Sequence, residues 1–170
     1  MSSAGYYPQE LAEQGFREAD APRFIATWDR LEAAYFQRLQ EVTAPFDEWR
    51  DRLRAGADET ARLVEAHLAE ARFLAVDALA VGDVGRERQR AFADRLAALL
   101  DSARAELDDP DSVPAATSSW IVAMFFDRVY RRCTAPEGPD LPSQIPELLF
   151  LAISAYFGTA TGLEELLPPP

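Results

Sequence analysis

SQIPELLFLAISAYF, residues 143–157, decides how this chain folds. Pro142 and Pro146 stand at its head and Gly158 follows its end. From Leu148 to Phe157 only Ser154 is polar. A surface helix of a globular protein keeps one dry stripe and one wet face. This segment is dry on every side, so one flank must face its own domain and the other must meet something more. A second copy of the chain is the simplest occupant of that second flank. The preceding helix, about 115–132, has a first half of the same character: Trp120, Ile121, Val122, Ala123, Met124, Phe125 and Phe126 follow without a break. Two such helices joined by a short Pro/Gly loop make a hairpin. Two hairpins related by a two-fold axis make a four-helix bundle, which closes at two copies. Ile121, Phe125, Leu148, Leu149, Ala152, Ile153 and Tyr156 are the expected interface residues. An interface of about 800 Å² per copy would cover more than the few hundred Å² of apolar patch that soluble monomers expose.

The rest of the chain reads as helix and loop. Asp20 is placed as an N-cap, with Pro22 near the first helical position. Phe24, Trp28, Leu31, Tyr35, Leu39 and Val42 then recur at steps of three and four, which predicts a helix over about 21–43. Trp49, Leu53, Ala57, Ala61, Val64 and Leu68 predict a second, over about 45–68, with Glu48–Arg52 and Asp58–Arg62 spaced as i,i+4 pairs. Gly56 inside it costs about 1 kcal/mol against alanine, which points to close helix packing there. The third, about 70–81, should be central and buried, since only Arg72 and Asp77 are polar after Glu70. Five residues apart, these two fall on different faces and are not expected to pair with each other. The fourth, about 84–107, carries Phe92, Leu96, Leu99, Leu100, Ala103 and Leu107. The polar stretch DDPDSVP, 108–114, is a loop by its turn residues. A short helix is expected at 160–167. No alternating strand pattern occurs. The fold class is therefore all-α: one domain over 20–167 with about six long helices, preceded by a short segment, 1–19, broken by Gly5, Pro8 and Gly15.

Composition narrows the function. The net charge is −12, the pI about 4.5, and the 17 basic residues are all arginine. The largest basic groups, Arg86, Arg88 and Arg90, and Arg128, Arg131 and Arg132, are diluted by acids. Duplex DNA is bound through a basic patch, so this chain alone is not expected to bind it. One cysteine, Cys133, allows no intrachain disulfide. The first ten residues have neither a basic segment nor an apolar run, and no apolar run is long enough to cross a bilayer. A soluble, cytoplasmic chain is expected. With one histidine, His67, and one cysteine there is no nucleophile–base–orienter set and no metal-ligand spacing. Neither an enzyme nor a cofactor is expected.

Three stretches carry a resemblance: FIATWDRL at 24–31, EARFLAVDALAVG at 70–82 and IPELLFLAISAYFG at 145–158. In this order and spacing they resemble the C-terminal effector-binding and dimerisation domain of TetR-type transcriptional regulators. The family places a helix-turn-helix DNA reader ahead of this domain. The few residues before Phe24, with their three breakers, are too short for a three-helix reader. The resemblance implies a sensor half that homodimerises and takes a small apolar or amphipathic effector between its first five helices. Trp28, Tyr35, Phe73, Trp120 and Met124 are candidates to line that pocket, although most aromatic residues, Trp49 and Phe92 among them, should be core. His67 reads either as a partly buried helix histidine or as a polar handle in the cavity. Asp77 either pairs with another helix or faces the cavity and selects a donor group, and it stands where one subset of the family holds an acid. The competing reading is a stand-alone interaction protein that heterodimerises with a full-length regulator.

Overall fold

In the computed structural model the described residues are 20–135, 137, 138 and 140–167. The expected N-terminal segment, 1–19, lies outside them. Helix α1 (Ala21–Thr43) has Pro22 in its first turn and buries Phe24, Trp28 and Phe36. Helix α2 (Trp49–Ala66) starts at the first residue of its apolar spacing, later than the expected bound at about 45. Its first amide, Trp49 N–H, donates to Glu106 Oε1 at 2.8 Å, so the start is fixed by an acid 57 positions away. His67, at φ −134° and ψ 50°, breaks the helix. Helix α3 therefore begins at Leu68–Arg72, passes through a π-helical turn at Phe73–Asp77 and ends at Ala78–Ala80. Helix α4 (Asp83–Asp101) runs into a 3-10 turn at Ser102–Glu106, where one longer helix was expected. Helix α5 (Thr117–Thr134) and helix α6 (Leu141–Phe157) form the expected hairpin. Asp140 sets the start of α6 two residues early: its carboxylate accepts the Ser143 N–H at 2.8 Å. Short turns at Thr159–Gly162 and Leu163–Leu166 close the described chain. Among the described residues there is no strand.

The helices enclose two hydrophobic clusters. One is aromatic: Phe24, Trp28, Phe36, Phe73 and Phe92, from α1, α3 and α4. The other joins Trp49, Val64, Val129, Ile145, Leu149, Ile153 and Tyr156, from α2, α5 and α6. The fold is one all-α domain of about six long helices, as its pattern predicts. Helices α1 and α2 approach closely at Gly56: a Cβ there would stand 2.9 Å from Leu39 Cδ1. The i,i+4 pairs read from α2 are replaced by others. Arg52 meets Glu106 at 3.3 Å and Arg62 meets Glu59 at 3.0 Å.

The expected interface residues need correction. Leu148, Leu149, Ala152, Ile153 and Tyr156 are all buried within the single chain. Ile121 and Phe125 are packed against the same cluster. The inward flank of α6 is the one carrying these residues because it lies on α2. The outward flank instead shows Glu147, Leu151 and Ala155. On α5 it shows Trp120, Ala123 and Tyr130. Trp120 is 68% exposed, and Tyr130 and Leu151 are each 43% exposed.

Candidate functional site

Between the two clusters the packing leaves room. One void, about 210 Å³, lies among α1, α2, α4, α5 and α6. Its walls include Leu39, Leu53, Gly56, Ala57, Leu100, Met124, Leu148, Leu149 and Ala152. A second, about 280 Å³, lies among α1, α2, α3, α4 and α5. Leu31, Leu63, Val64, Ala71, Leu74, Phe126 and Val129 line it. Tyr35, Thr60, Leu96 and Phe125 line both. The two voids are thus neighbouring lobes that share these four side chains as a wall.

The wall has a polar latch. Tyr35 Oη and Thr60 Oγ1 stand 3.0 Å apart. Thr60 spends its own proton on the Gly56 carbonyl, at 2.6 Å, so the Tyr35 hydroxyl donates to Thr60. Burial pushes the Tyr35 phenol up to about 12. It is therefore neutral at physiological pH. A hydrogen bond of this kind contributes about 0.5–1.5 kcal/mol net, a modest barrier to opening. The chamber exists here because α2 thins at this height. Gly56 and Thr60, one turn apart on its inward stripe, put little bulk opposite Tyr35.

The arginines at the rims are matched. Arg38 Nε donates to Glu59 Oε1 at 2.7 Å. Arg52, on the first lobe, meets Glu106 and also donates to the Asp47 carbonyl. His67 Nδ1 stands 4.0 Å from Glu70 Oε1 on the second lobe. The lining is otherwise apolar, with few polar groups, as small-molecule sites commonly are. Among the described residues no group of three His, Cys, Asp or Glu is placed to hold a metal ion. No helix there is long and apolar enough to cross a membrane.

Of the residues singled out from sequence, the structure brings Tyr35 and Met124 to the walls, and His67, exposed at the break between α2 and α3 rather than partly buried inside a helix, to the rim of the second lobe. Trp28 and Phe73 are excluded: both are fully buried in the aromatic cluster. Trp120 points outward. Asp77 lines neither lobe, and its expected separation from Arg72 is wrong. Residues five apart in an α-helix lie about 140° apart. The π turn closes i to i+5 instead, with the Ala78 N–H reaching the Phe73 carbonyl. That stacks Arg72 on Asp77, Nε to Oδ1 at 3.3 Å. Gln89 Nε2, from α4, supports the turn by donating to the Leu74 and Ala75 carbonyls at 3.1 and 3.2 Å. Leu39, Leu53, Gly56 and Thr60 were not singled out as site residues. The interruption of an apolar stripe by Gly56 and Thr60 is the signal that marks them.

The Asp77 pair yields a test. Asp77 is buried, and its Oδ2 has no hydrogen-bond partner. Burial raises its carboxyl above the ordinary value of 3.8, with Arg72 pulling the other way. A raised acid stabilises the fold when protonated, and that stability is lost as pH rises through the raised value. Asp77→Asn abolishes the loss, while the half-exposed Arg72 stays solvated. Urea midpoints taken from about pH 3 to pH 7 should show the variant at least as stable as wild type at neutral pH. The difference should shrink towards acid. A variant weaker at pH 7 would mean the Arg72 pair outweighs the burial.

No family model matches the chain, and neither a curated protein nor a solved structure shows significant similarity to it.

Proposed function

We propose that this chain is a ligand-sensing, homodimerising domain of TetR type, taking a small apolar or amphipathic molecule into the chamber. The observation that carries the reading is the two-lobed void between α1, α2 and α5. It occupies the region in which the resemblance places an effector. Helix α1 supplies Leu31, Ala34, Tyr35, Arg38, Leu39 and Thr43 to the two lobes. A guest that wedges between Tyr35 and Thr60 must shift α1 against α2, and α1 carries that shift back towards Asp20. The reading assigns no catalytic step, and no duplex DNA is bound by this polypeptide alone.

The neutral dye N-phenyl-1-naphthylamine tests it. Saturable fluorescence enhancement at one dye per chain is expected. At a free dye concentration of about 100 Kd, ligand linkage contributes about 2.7 kcal/mol, which is a rise of roughly 5–10 °C in Tm. Absence of saturable binding, with the fold intact by circular dichroism, would overturn the reading.

A further inference from the structure

We infer that the natural guest is an unbranched amphiphile without an anionic head, long enough to lie through both lobes, past an opened Tyr35–Thr60 latch; this rests on the ligand-chamber reading above. Three observations select that class. First, the lobes are similar in size, about 210 and 280 Å³, and share Tyr35, Thr60, Leu96 and Phe125 as a common wall. A compact ligand would fill one lobe and leave the other empty, whereas an extended chain fills both. Second, the two rim arginines already have opposite partners: Arg38 with Glu59 and Arg52 with Glu106. An anionic ligand would have to displace one of them. Third, the latch is neutral and uses a single hydrogen bond, which a guest chain can break at small cost while keeping every polar atom near a partner. The Thr60 hydroxyl still holds the Gly56 carbonyl, and the freed Tyr35 hydroxyl can pair with the guest's own uncharged oxygen.

The test is a chain-length series, hexanol to dodecanol, titrated calorimetrically into the full chain. Apolar burial is expected to raise affinity about fourfold per methylene until both lobes are filled, then to level off, at one alkanol per chain. Ala71→Phe plugs the second lobe and should move the levelling-off to a shorter alkanol, with hexanol affinity held within about twofold. Val129→Phe, from the opposite wall, provides a second plug should the first misfold. An unchanged cut-off in both plugged variants, or two alkanols per chain, would overturn the through-lobe inference and leave the chamber reading standing. Failure of every alkanol to bind would remove the chamber reading itself, and the inference with it.

Discussion

Trp28→Ala is expected to cost about 3–5 kcal/mol of folding stability, the range for truncating a large aromatic in a packed core. Trp28 has no exposed surface. Its ring stands 5.9 Å from Phe24, 6.3 Å from Phe73 and 6.2 Å from Phe92, the last edge-on. Such pairs add to the stability that burial supplies. Its Nε1–H donates to Glu32 Oε2 at 2.8 Å, a bond that truncation also removes. Domains of this size are stable by about 5–15 kcal/mol, so much of the margin would go. Urea denaturation should show a lower midpoint with an unchanged slope. Dye affinity measured below the transition should fall far less than stability does, because Trp28 lines neither lobe and reaches the second only through Phe92. A large change in dye affinity with little loss of stability would return Trp28 to the ligand-binding set.

That contrast shows what the sequence reveals and what it conceals. The step of three and four places Phe24, Trp28, Leu31, Tyr35 and Leu39 on one stripe of α1, and the stripe does face inward. Periodicity reports the face and not the depth. Trp28 meets Phe73 and Phe92, while Tyr35, two turns on, borders a void because α2 offers only Gly56 and Thr60 opposite. Whether an inward residue is packed or lines a chamber depends on bulk across the gap, which belongs to another helix. Asp77 shows a second limit. A 3.6-residue turn sets it on a different face from Arg72, and the π turn that stacks them is held partly by Gln89 of α4. Helix α6 shows a third. Its almost unbroken apolar run conceals which flank faces inward: the side carrying Leu149 and Ile153 belongs to the domain's own core. The more polar line, Glu147, Leu151 and Ala155, was the better indicator of the outward side.

Trp120→Glu is the second large effect expected, and it concerns association. Trp120 is the most exposed aromatic residue of the hairpin, with Ala123 and Tyr130 following on the same flank of α5 and Leu151 outward on α6. Buried tryptophans at the centre of an interface typically contribute at least about 2 kcal/mol, roughly thirtyfold in Kd, and a glutamate there also buries a charge. Light scattering at micromolar concentration should give a dimer for wild type and a monomer for Trp120→Glu, with the urea midpoint of the monomeric chain little changed. Ile153→Ala should do the reverse. Ile153 is fully buried within the chain, so its truncation should cost about 2–5 kcal/mol of stability and leave the dimer constant alone. A wild-type chain that is monomeric and monodisperse would contradict homodimerisation. A Trp120→Glu dimer would move the interface off this flank.

The chamber between α1, α2 and α5 carries the whole functional reading, and a crystal structure of the chain grown with dodecanol tests it most directly. The expected result is continuous density running from the Leu39, Leu53 and Leu149 side, past a displaced Tyr35, to the Leu63, Leu74 and Val129 side. Lobes closed by collapsed side chains, with dodecanol found only on the outside of the helices, would contradict it.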